Sequence, residues 1–570
     1  MRENLKEIIY KIALKNAIDH NGKASLKHVV SKIFSVYPDI KKELDIKEII
    51  SLAKDIVEEV NKLTLSEQKK IIEEKYPDLL AEKEKKEKKG LDPLPGAEYG
   101  KVRVRFAPNP NGPLHIGHAR AIILNDEYAK MYKGTFILRL EDTDPRTKRP
   151  MPEAYEWIPQ DIKWLGAEIH EFYIQSLRMD IYYEYAKKLI ELGKAYICLC
   201  DKDTIAKNRI KGEKCEHRDQ PVEKNLELWD KMIEGYFKEG EAVLRIKTDL
   251  NHKNPSVRDW IAFRIIENPN HPKVGNKYVV WPTYNFACPV DDHLMSITHV
   301  IRMKEHIVNQ EKQKYIFQHF GWEPPLYFEY GAIIVTDMPF HKSKIIEGLK
   351  KGLYRGWDDV NLPTLMALRR RGIRPEAIRE YIISLGLNPV KVTINWSKIY
   401  KINRRLIDSQ TPRYFFVESP KVVEFSVPVD MVVKVPKHPY NKELGYRVYE
   451  IKKGNLIVYI DYSDFEELNE GDIFRLKDFA NLKVKKKKED KLICTFYKDQ
   501  SILPKIKKIQ WVLDNNKINC EIEGIGRVYK GYVEAYILNE KADIVQFERK
   551  FFARIEEKNQ EKVKGVYTHD

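Results

Sequence analysis

Cysteine is scarce in this sequence, and long uninterrupted apolar segments are absent. Six unevenly spaced cysteines among 570 residues do not make the disulfide framework of a small secreted domain, so we expect a reducing cytoplasm. No run of about 18 apolar residues occurs, which argues against a membrane-spanning helix. The first twenty residues, MRENLKEIIYKIALKNAIDH, mix acids and bases and do not resemble a signal peptide. The sequence therefore predicts a cytoplasmic protein without a membrane partner.

Charged residues are abundant, and the basic ones prevail. Lysine and arginine total 100 against 85 acidic residues, which gives a formal net charge of +15. This excess favours a polyanionic partner such as nucleic acid. A surface of solvated ion pairs, as in thermophilic proteins, is the alternative explanation. A chain of 570 residues is too long for one hydrophobic core, so several domains are expected.

The pattern of apolar residues changes along the chain. Residues 1–81 carry helical spacings and precede a stretch at 82–100, charged and then rich in glycine and proline, which we interpret as a linker. From Lys101, strands such as KVRVRF and TFILRL alternate with helices, which predicts a parallel α/β sheet. Beyond Arg404, short β-branched and aromatic segments separated by turns predict one or two β-barrels.

One stretch, RFAPNPNGPLHIGHAR at 105–120, places a stiff turn directly before two histidines. Its prolines restrict the backbone between a predicted strand and a predicted helix. His115 and His118 are three residues apart, so both would lie on one face of the helix's first turn. Gly117 allows a flat base to approach the backbone, and free amides at a helix N-terminus attract anions. The stretch predicts a nucleotide site, although histidines that merely cap a helix are the simpler alternative.

The same stretch resembles the HIGH motif of class I aminoacyl-tRNA synthetases. Together with LRLEDTDP at 138–145 it is similar to the glutamyl/glutaminyl branch, and most similar to archaeal-type glutamyl-tRNA synthetases. Further segments such as AYICLC, THVIR and IQWV extend the resemblance over nearly everything from residue 100 onward. The resemblance implies a Rossmann-like α/β catalytic core with an acceptor-end insertion, beside the helical N-terminal module and a C-terminal β-barrel anticodon-binding region.

The resemblance also implies domain bounds. They are a catalytic half with the HIGH motif at 101–195, an acceptor-binding insertion at 196–275, a second catalytic half at 276–350, a helical stem-contact region at 351–412 and an anticodon-binding region at 413–570. Arginine-rich helices such as MALRRRGIRPEAIREYI would contact RNA phosphates in the stem-contact region. Lysine runs at 485–488 and 505–508 lie near aromatic residues that could stack on anticodon bases.

The family needs a second, basic loop against the phosphates of ATP. The candidate is FHKSKI, Phe340 to Ile345, which departs from the family pattern because members commonly have Leu-Ser at the first two positions. The residues expected to bind ATP are Pro108, Asn109, His115, Gly117, His118, Lys342, Ser343 and Lys344. Of these, His115, His118 and Lys344, with Mg²⁺, would stabilise charge at the reacting phosphate.

By the same resemblance, glutamate is activated with ATP to glutamyl-adenylate and transferred to the terminal adenosine of tRNA(Glu), with tRNA(Gln) an open second substrate. The residues expected to hold glutamate are Arg105, Ala107, Asn109, Glu141, Tyr284 and Arg302. Arg302 is expected to grip the γ-carboxylate, since a guanidinium can donate two parallel bonds to it. A surface arginine paired with Glu305 is the alternative. The alternatives for the whole chain are a glutaminyl-tRNA synthetase, a small-molecule nucleotidyltransferase and a non-catalytic RNA-binding paralogue.

Two further expectations concern zinc and a protein partner. Cys198, Cys200, Cys215 and His217 form two close pairs of soft ligands, which suits tetrahedral Zn²⁺, and related enzymes carry a metal knuckle in this insertion. Reduced, unligated cysteines are the alternative. The N-terminal helical module resembles no motif here, but in eukaryotic relatives such modules often dock other proteins.

Overall fold

The chain forms two compact units, residues 1–90 and 91–570. The computed structural model describes residues 2–19, 22–36, 45–76, 90–339 and 342–570. The predicted charged run at 82–89, together with Phe340 and His341, lies outside the described residues. In the described part, no helix is long and apolar enough to cross a membrane.

The first unit is helical, as its apolar spacing predicts. Its helices are α1 (Arg2–Asp19), α2 (Leu26–Val36), α3 (Ile46–Lys62) and α4 (Leu65–Lys75). The start of α4 is a capping box, in which Thr64 and Glu67 each accept the other's backbone amide. Ile9, Val29, Ile33 and Val60 are fully buried in its core, so this unit has an apolar interior of its own.

The second unit begins with a parallel sheet. Strands β1 (Arg103–Phe106), β2 (Thr135–Leu140) and β3 (Glu171–Ile174) pair in that order. Helix α5 (Ile116–Met131) connects β1 to β2, and α6 (Ala154–Trp164) connects β2 to β3. The predicted strand–helix alternation is therefore confirmed. The turn from β1 into α5 lies beyond the carboxyl ends of the strands, where such sheets bind ligands.

An antiparallel insertion follows. Its elements are α7 (Met179–Glu191), β4 (Ala195–Cys198), α8 (Lys202–Lys211), α9 (Val222–Ile233), β5 (Val243–Ile246), β6 (Ile261–Ile265) and β7 (Val280–Pro282). The strands pair in the order β4-β5-β6-β7, so the sheet extends slightly beyond the predicted bounds of 196 and 275.

The chain then returns to parallel strands. The elements are α10 (Tyr284–Leu294), β8 (His299–Met303), α11 (Ile307–Phe320), β9 (Leu326–Tyr330), β10 (Ile333–Ile334), α12 (Lys342–Lys350) and β11 (Val392–Thr393). Strand β8 pairs in parallel with β9. The Thr298 amide donates to the Arg103 carbonyl at 3.0 Å, which places the start of β8 beside β1.

Helices α13 (Leu365–Arg370), α14 (Pro375–Leu385) and α15 (Trp396–Ile407) lie within residues 351–412, which the sequence predicts to contact the tRNA stem. Several arginines of these helices have partners within the protein, and the expected contact of this region with RNA stays a prediction. Arg370 pairs with Glu523 and Glu556, and Arg379 pairs with Asp126. Arg371 is fully buried and donates to the Thr568 carbonyl at 2.8 Å. These side chains hold the helices against neighbouring elements, because a buried guanidinium needs acceptors.

The C-terminal region consists of two seven-stranded sheets, a hairpin and a short helix. The elements are β12 (Arg413–Tyr414), β13 (Phe416–Glu418), β14 (Lys421–Val427), β15 (Met431–Pro436), β16 (Tyr446–Ile451), β17 (Gly454–Ile460), α16 (Tyr462–Glu467), β18 (Ile473–Leu476), β19 (Asn481–Lys487), β20 (Lys491–Phe496), β21 (Lys507–Ile509), β22 (Val512–Leu513), β23 (Lys517–Glu523), β24 (Val528–Glu534), β25 (Ile544–Phe547), β26 (Phe551–Lys558) and β27 (Lys562–His569). The first sheet has the order β12-β25-β26-β27-β23-β24-β13, and the second has the order β21-β18-β19-β20-β14-β17-β22.

Both sheets curl strongly, as their strand orders require. In the first sheet β12 and β13 form opposite edges, although a single residue separates them in sequence. In the second, β21 and β22 are the two edges and only two residues lie between them. Since consecutive Cα atoms are about 3.8 Å apart, the edges of each sheet must come close together. The predicted barrel-like architecture is thus confirmed as two curled sheets.

Candidate active site

The two motif histidines lie at the start of α5 and are held there by hydrogen bonds. His115 is the N-cap residue, one position before the helix, and its Nδ1 accepts the Gly117 amide at 3.1 Å. The His115 amide in turn donates to Nδ1 of His118 at 3.2 Å. The ring centroids are 3.8 Å apart. This reciprocal arrangement is a capping box built from imidazoles, so the histidines cap the helix and share one face.

Burial makes both rings neutral, and the same bonds define which nitrogen of each ring carries the proton. Burial, and for His115 also the neighbouring His118, lowers the pKa of both imidazoles, that of His118 to about 4. Each ring is therefore neutral at physiological pH. Because both Nδ1 atoms accept a hydrogen bond, the proton of each ring lies on Nε2. The site thus presents two neutral N–H donors beside a helix N-terminus, an arrangement that suits a phosphate oxygen.

A pocket of about 360 Å³ opens at these histidines. Its other lining residues come from the turn before α5, from α12 and from the segment before α13: Asn111, Pro113, Lys342, Ile345, Trp357, Pro363 and Thr364. Lys342 reaches across to the turn, and a Cβ on Gly112 would lie 2.9 Å from its Nζ. Burial lowers the pKa of Lys342 to about 8. The pocket therefore combines two imidazoles with one primary amine.

Two further residues of the predicted basic loop do not reach the pocket. Ser343 and Lys344 are exposed on α12 and do not line the pocket. Of the two lysines, the structure brings only Lys342 to the histidines. Positions 342 and 344 are about 200° apart on a helix, so both cannot face the same pocket.

The turn after β1 is tied to the segment that follows β2. Asn109 Nδ2 donates to the Glu141 carbonyl at 2.7 Å, and the Glu141 amide donates to the Pro108 carbonyl at 2.9 Å. Ala107 precedes these contacts at the end of β1 and is half-buried. These bonds hold the turn that leads to the histidines in one conformation.

Three buried arginines gather behind this turn. Arg105 Nε donates to Asp292 Oδ1 at 3.2 Å. Arg139 donates to Asp292 at 2.8 Å and to Glu141 at 2.9 Å. Although burial opposes ionisation, Arg105 and Arg139 lower the pKa of Asp292 to about 2. Burial raises the pKa of Glu141 in spite of Arg139. Arg105 and Arg139 therefore have carboxylate partners within the protein.

Arg302, on β8, is the exception among the three. It is 6% exposed, and its Nη1 donates to the neutral Gln313 Oε1 at 3.0 Å. Its Nε and Nη2 have no hydrogen-bond partner among the described residues, and its guanidinium lies 4.9 Å from the Tyr327 ring centroid. Glu305 pairs with Lys391 instead, so the surface-pair alternative is not supported. A buried cation with two unused donors is suited to an incoming anion.

Tyr284, which the sequence predicted, and Cys288 complete this cluster. Tyr284 begins α10, and its pKa is raised by burial and by nearby groups that include Cys288 and Glu141, while Arg302 and Arg105 oppose the shift. Cys288 lies one turn later, buried, with Sγ 3.4 Å from Arg139 Nη2. Cys288 is therefore a buried packing neighbour of Arg139.

The four predicted metal ligands come together in the insertion. The ligand atoms of Cys198, Cys200, Cys215 and His217 all lie within 4.8 Å of one another. Cys198 and Cys215 Sγ are 3.8 Å apart, and Cys200 Sγ is 3.5 Å from His217 Nδ1. Arg245 Nη1 lies 3.8 and 3.7 Å from the sulfurs of Cys198 and Cys215, where a cation would offset thiolate charge. Three sulfurs and one imidazole are a donor set that fits Zn²⁺.

Comparison with known proteins agrees with this geometry. The family model of the catalytic domain of class I tRNA synthetases (E and Q) matches residues 101–409, and that of their anticodon-binding domain matches residues 411–497. This chain belongs to the class I tRNA synthetases of the E and Q group. It is 45% identical to a glutamate–tRNA ligase of Thermococcus kodakarensis over 100% of both chains. It is 46% identical to that of Pyrococcus furiosus over 99% of this chain and 100% of the relative. For Methanopyrus kandleri the identity is 43% over 100% of both chains.

In this synthetase, the histidine pocket and the arginine cluster both lie inside the matched catalytic domain. Sequence reasoning missed several residues of the cluster: Arg139, Asp292, Gln313 and Tyr327. Arg139 follows three apolar residues in TFILRL, and a charge inside a buried strand is a signal that could have been used. Gln313 has no comparable signal, because a polar residue within a helix is ordinary.

Proposed function

We propose that this synthetase joins L-glutamate to tRNA(Glu) at the expense of ATP, through a glutamyl-adenylate. The observation that carries the amino-acid assignment is Arg302, a buried guanidinium without a carboxylate partner among the described residues. The γ-carboxylate of glutamate supplies the charge and the two acceptors that Arg302 lacks. The relatives described above are glutamate–tRNA ligases by name, so the glutaminyl alternative is not favoured.

ATP is assigned to the histidine pocket. The Nε2–H groups of His115 and His118 and the ammonium of Lys342 would donate to phosphate oxygens, with Gly117 giving room for the base. Pro108 and Asn109 hold the turn, and Ser343 and Lys344 lie on the adjoining helix. Lys344 keeps its proposed catalytic role only if α12 moves, because its side chain is exposed. Mg²⁺ would offset the phosphate charges.

Glutamate is assigned to the adjoining cluster. Arg302 would bind the γ-carboxylate, and Tyr284 and Glu141 would flank the amino acid. Arg105, Ala107 and Asn109 would complete one side, although Arg105 is already paired with Asp292. The reaction needs no enzyme nucleophile, since the α-carboxylate attacks the α-phosphorus of ATP. Catalysis would depend on positioning and on charge stabilisation.

Zn²⁺ is proposed as a structural ion of the insertion, held by Cys198, Cys200, Cys215 and His217. When bound, it would fix the loop after β4 to the segment around His217. A closed set of four protein ligands leaves no position for substrate. Charging of tRNA(Gln) and a protein partner for the helical unit stay predictions.

The test is ATP–pyrophosphate exchange and aminoacylation with separately transcribed tRNA(Glu) and tRNA(Gln). In the presence of tRNA(Glu), we expect exchange with glutamate at a kcat/KM far above that of exchange with glutamine. Replacing Arg302 with Ala should raise the KM for glutamate by about two orders of magnitude, the effect of losing a charged hydrogen-bond pair. The KM for ATP should change little. An unchanged KM for glutamate would remove the assignment of Arg302.

A further inference from the structure

Arg302 lies on strand β8, and the edge of its guanidinium that stays available is set by a residue on a neighbouring helix. Gln313 lies on α11 and is fully buried, and its Oε1 accepts from Nη1 of Arg302 at 3.0 Å. This bond uses an N–H group of Nη1, one of the two terminal nitrogens of the guanidinium. Nε and Nη2 remain without a partner among the described residues. Those two nitrogens lie on the same edge of the guanidinium plane, and their N–H groups point in parallel.

The orientation of the Gln313 amide is itself constrained. Its Nε2 donates to Asn285 Oδ1 at 3.4 Å, so its oxygen must face Arg302, which can only donate. The Tyr327 ring below the guanidinium restrains the plane. Helices α10 and α11 and strand β9 thus jointly define the rotamer of one arginine on β8.

We infer that Gln313 is a positioning residue that makes Arg302 selective for a carboxylate. This inference rests on the proposed function and names a residue that determines its amino-acid specificity. With Nη1 bound to Gln313, the edge of Arg302 on which neither nitrogen has a partner among the described residues is the one formed by Nε and Nη2, and it matches the two oxygens of a γ-carboxylate. The amide of glutamine has one oxygen and would leave one N–H unpaired. Because Gln313 is neutral, it orients Arg302 without offsetting the charge that attracts glutamate.

Two substitutions of Gln313 separate its effect on the orientation of Arg302 from the effect of its being uncharged. Gln313→Met removes the acceptor and keeps the length of the side chain, so we expect the KM for glutamate to rise about tenfold. Gln313→Glu keeps an acceptor but adds a negative charge beside Arg302, and it should raise the KM for glutamate further. In Gln313→Glu the preference for glutamate over glutamine should fall at least about tenfold. The kcat at saturating glutamate and the KM for ATP should stay close to wild type. All values are measured by ATP–pyrophosphate exchange on the full chain with tRNA(Glu) present.

The matched controls are Gln318→Met and Gln318→Glu, the same changes at an exposed position of the same helix, which should leave every constant unchanged. A purely structural role of Gln313 would alter the KM for ATP, glutamate and glutamine together. An unaltered preference for glutamate over glutamine in both Gln313 variants would overturn the inference while the proposed function stands. Absence of glutamate-dependent exchange in the wild type would overturn the proposed function, and the role of Gln313 with it.

Discussion

At the scale of single residues, the candidate site depends on which groups are charged and which are not. His115 and His118 are buried and neutral, so they act as donors and carry no positive charge. Lys342 is the one cation lining the pocket among the described residues. In the arginine cluster, Asp292 and Glu141 offset the charges of Arg105 and Arg139 and leave that of Arg302 uncompensated. The two halves of the site therefore attract two different anions.

Lys342 should make the use of ATP depend on pH. Burial lowers the pKa of its ammonium to about 8, so the amine is charged below that pH and neutral above it. We expect kcat/KM for ATP to fall as pH rises through about 8. Lys342→Arg should keep its activity up to pH ~9.5, because a guanidinium does not deprotonate there.

The measurement is ATP–pyrophosphate exchange at saturating glutamate and tRNA between pH ~6.5 and ~9.5. Lys344→Arg is the control, and it should retain the wild-type inflection because Lys344 is exposed outside the pocket. If wild type and Lys342→Arg gave the same profile, Lys342 would not be the titrating group.

At the scale of elements, the site is made by the turn before α5, the start of α12 and strand β8. The sequence predicted this element closely: it placed the two histidines in the first turn of a helix, and the structure has that helix at Ile116–Met131 with His115 as its N-cap. It could not tell which lysine of KSK faces the pocket, since that depends on the rotation of α12. Nor could it pair Arg139 with Asp292, because the two are 153 residues apart in sequence and meet only through packing.

The turn and α12 are in close contact at Gly112. A Cβ there would lie 2.9 Å from both Cε and Nζ of Lys342, and the flexible end of the lysine would have to move. We expect Gly112→Ala to keep the fold and to raise the KM for ATP about tenfold or more, since small misplacements of positioning groups are costly. In a Lys342→Ala background the same substitution should have no further effect. Additive losses in that double variant would show that Gly112 acts independently of Lys342.

The four predicted metal ligands, Cys198, Cys200, Cys215 and His217, predict how many zinc ions each chain binds. We expect about one zinc ion per chain by elemental analysis of protein purified without chelator, as four ligands imply a single site. Cys200→Ser should lose the ion and lower the melting temperature. Cys494→Ser, at a buried cysteine of β20, should retain it. A fully active preparation without metal would contradict the structural role of zinc.

At the scale of the whole molecule, the chain consists of two units, and the larger one combines catalytic, helical and β regions. Arg370 and Arg371 connect α13 to strands of the first curled sheet through Glu523, Glu556 and the carbonyl of Thr568. Arginines that the sequence assigned to RNA thus serve partly as internal connections. A composition cannot distinguish these two uses, because both need clustered guanidinium groups.

The two units should also be separable. Among the described residues, the apolar cluster of the first unit runs from Leu5 to Ile72 and contains only its own side chains, as expected of a domain that folds by itself. The apolar cluster of the catalytic domain runs from Leu94 to Ile402 and so lies entirely within residues 91–570. We therefore expect a chain of residues 91–570 to unfold cooperatively and to bind ATP and glutamate with wild-type KM values in the exchange assay. If only the KM for tRNA rose, the helical unit would contribute to RNA binding. Aggregation, or loss of the thermal transition, would instead show that the larger unit needs the smaller one to fold.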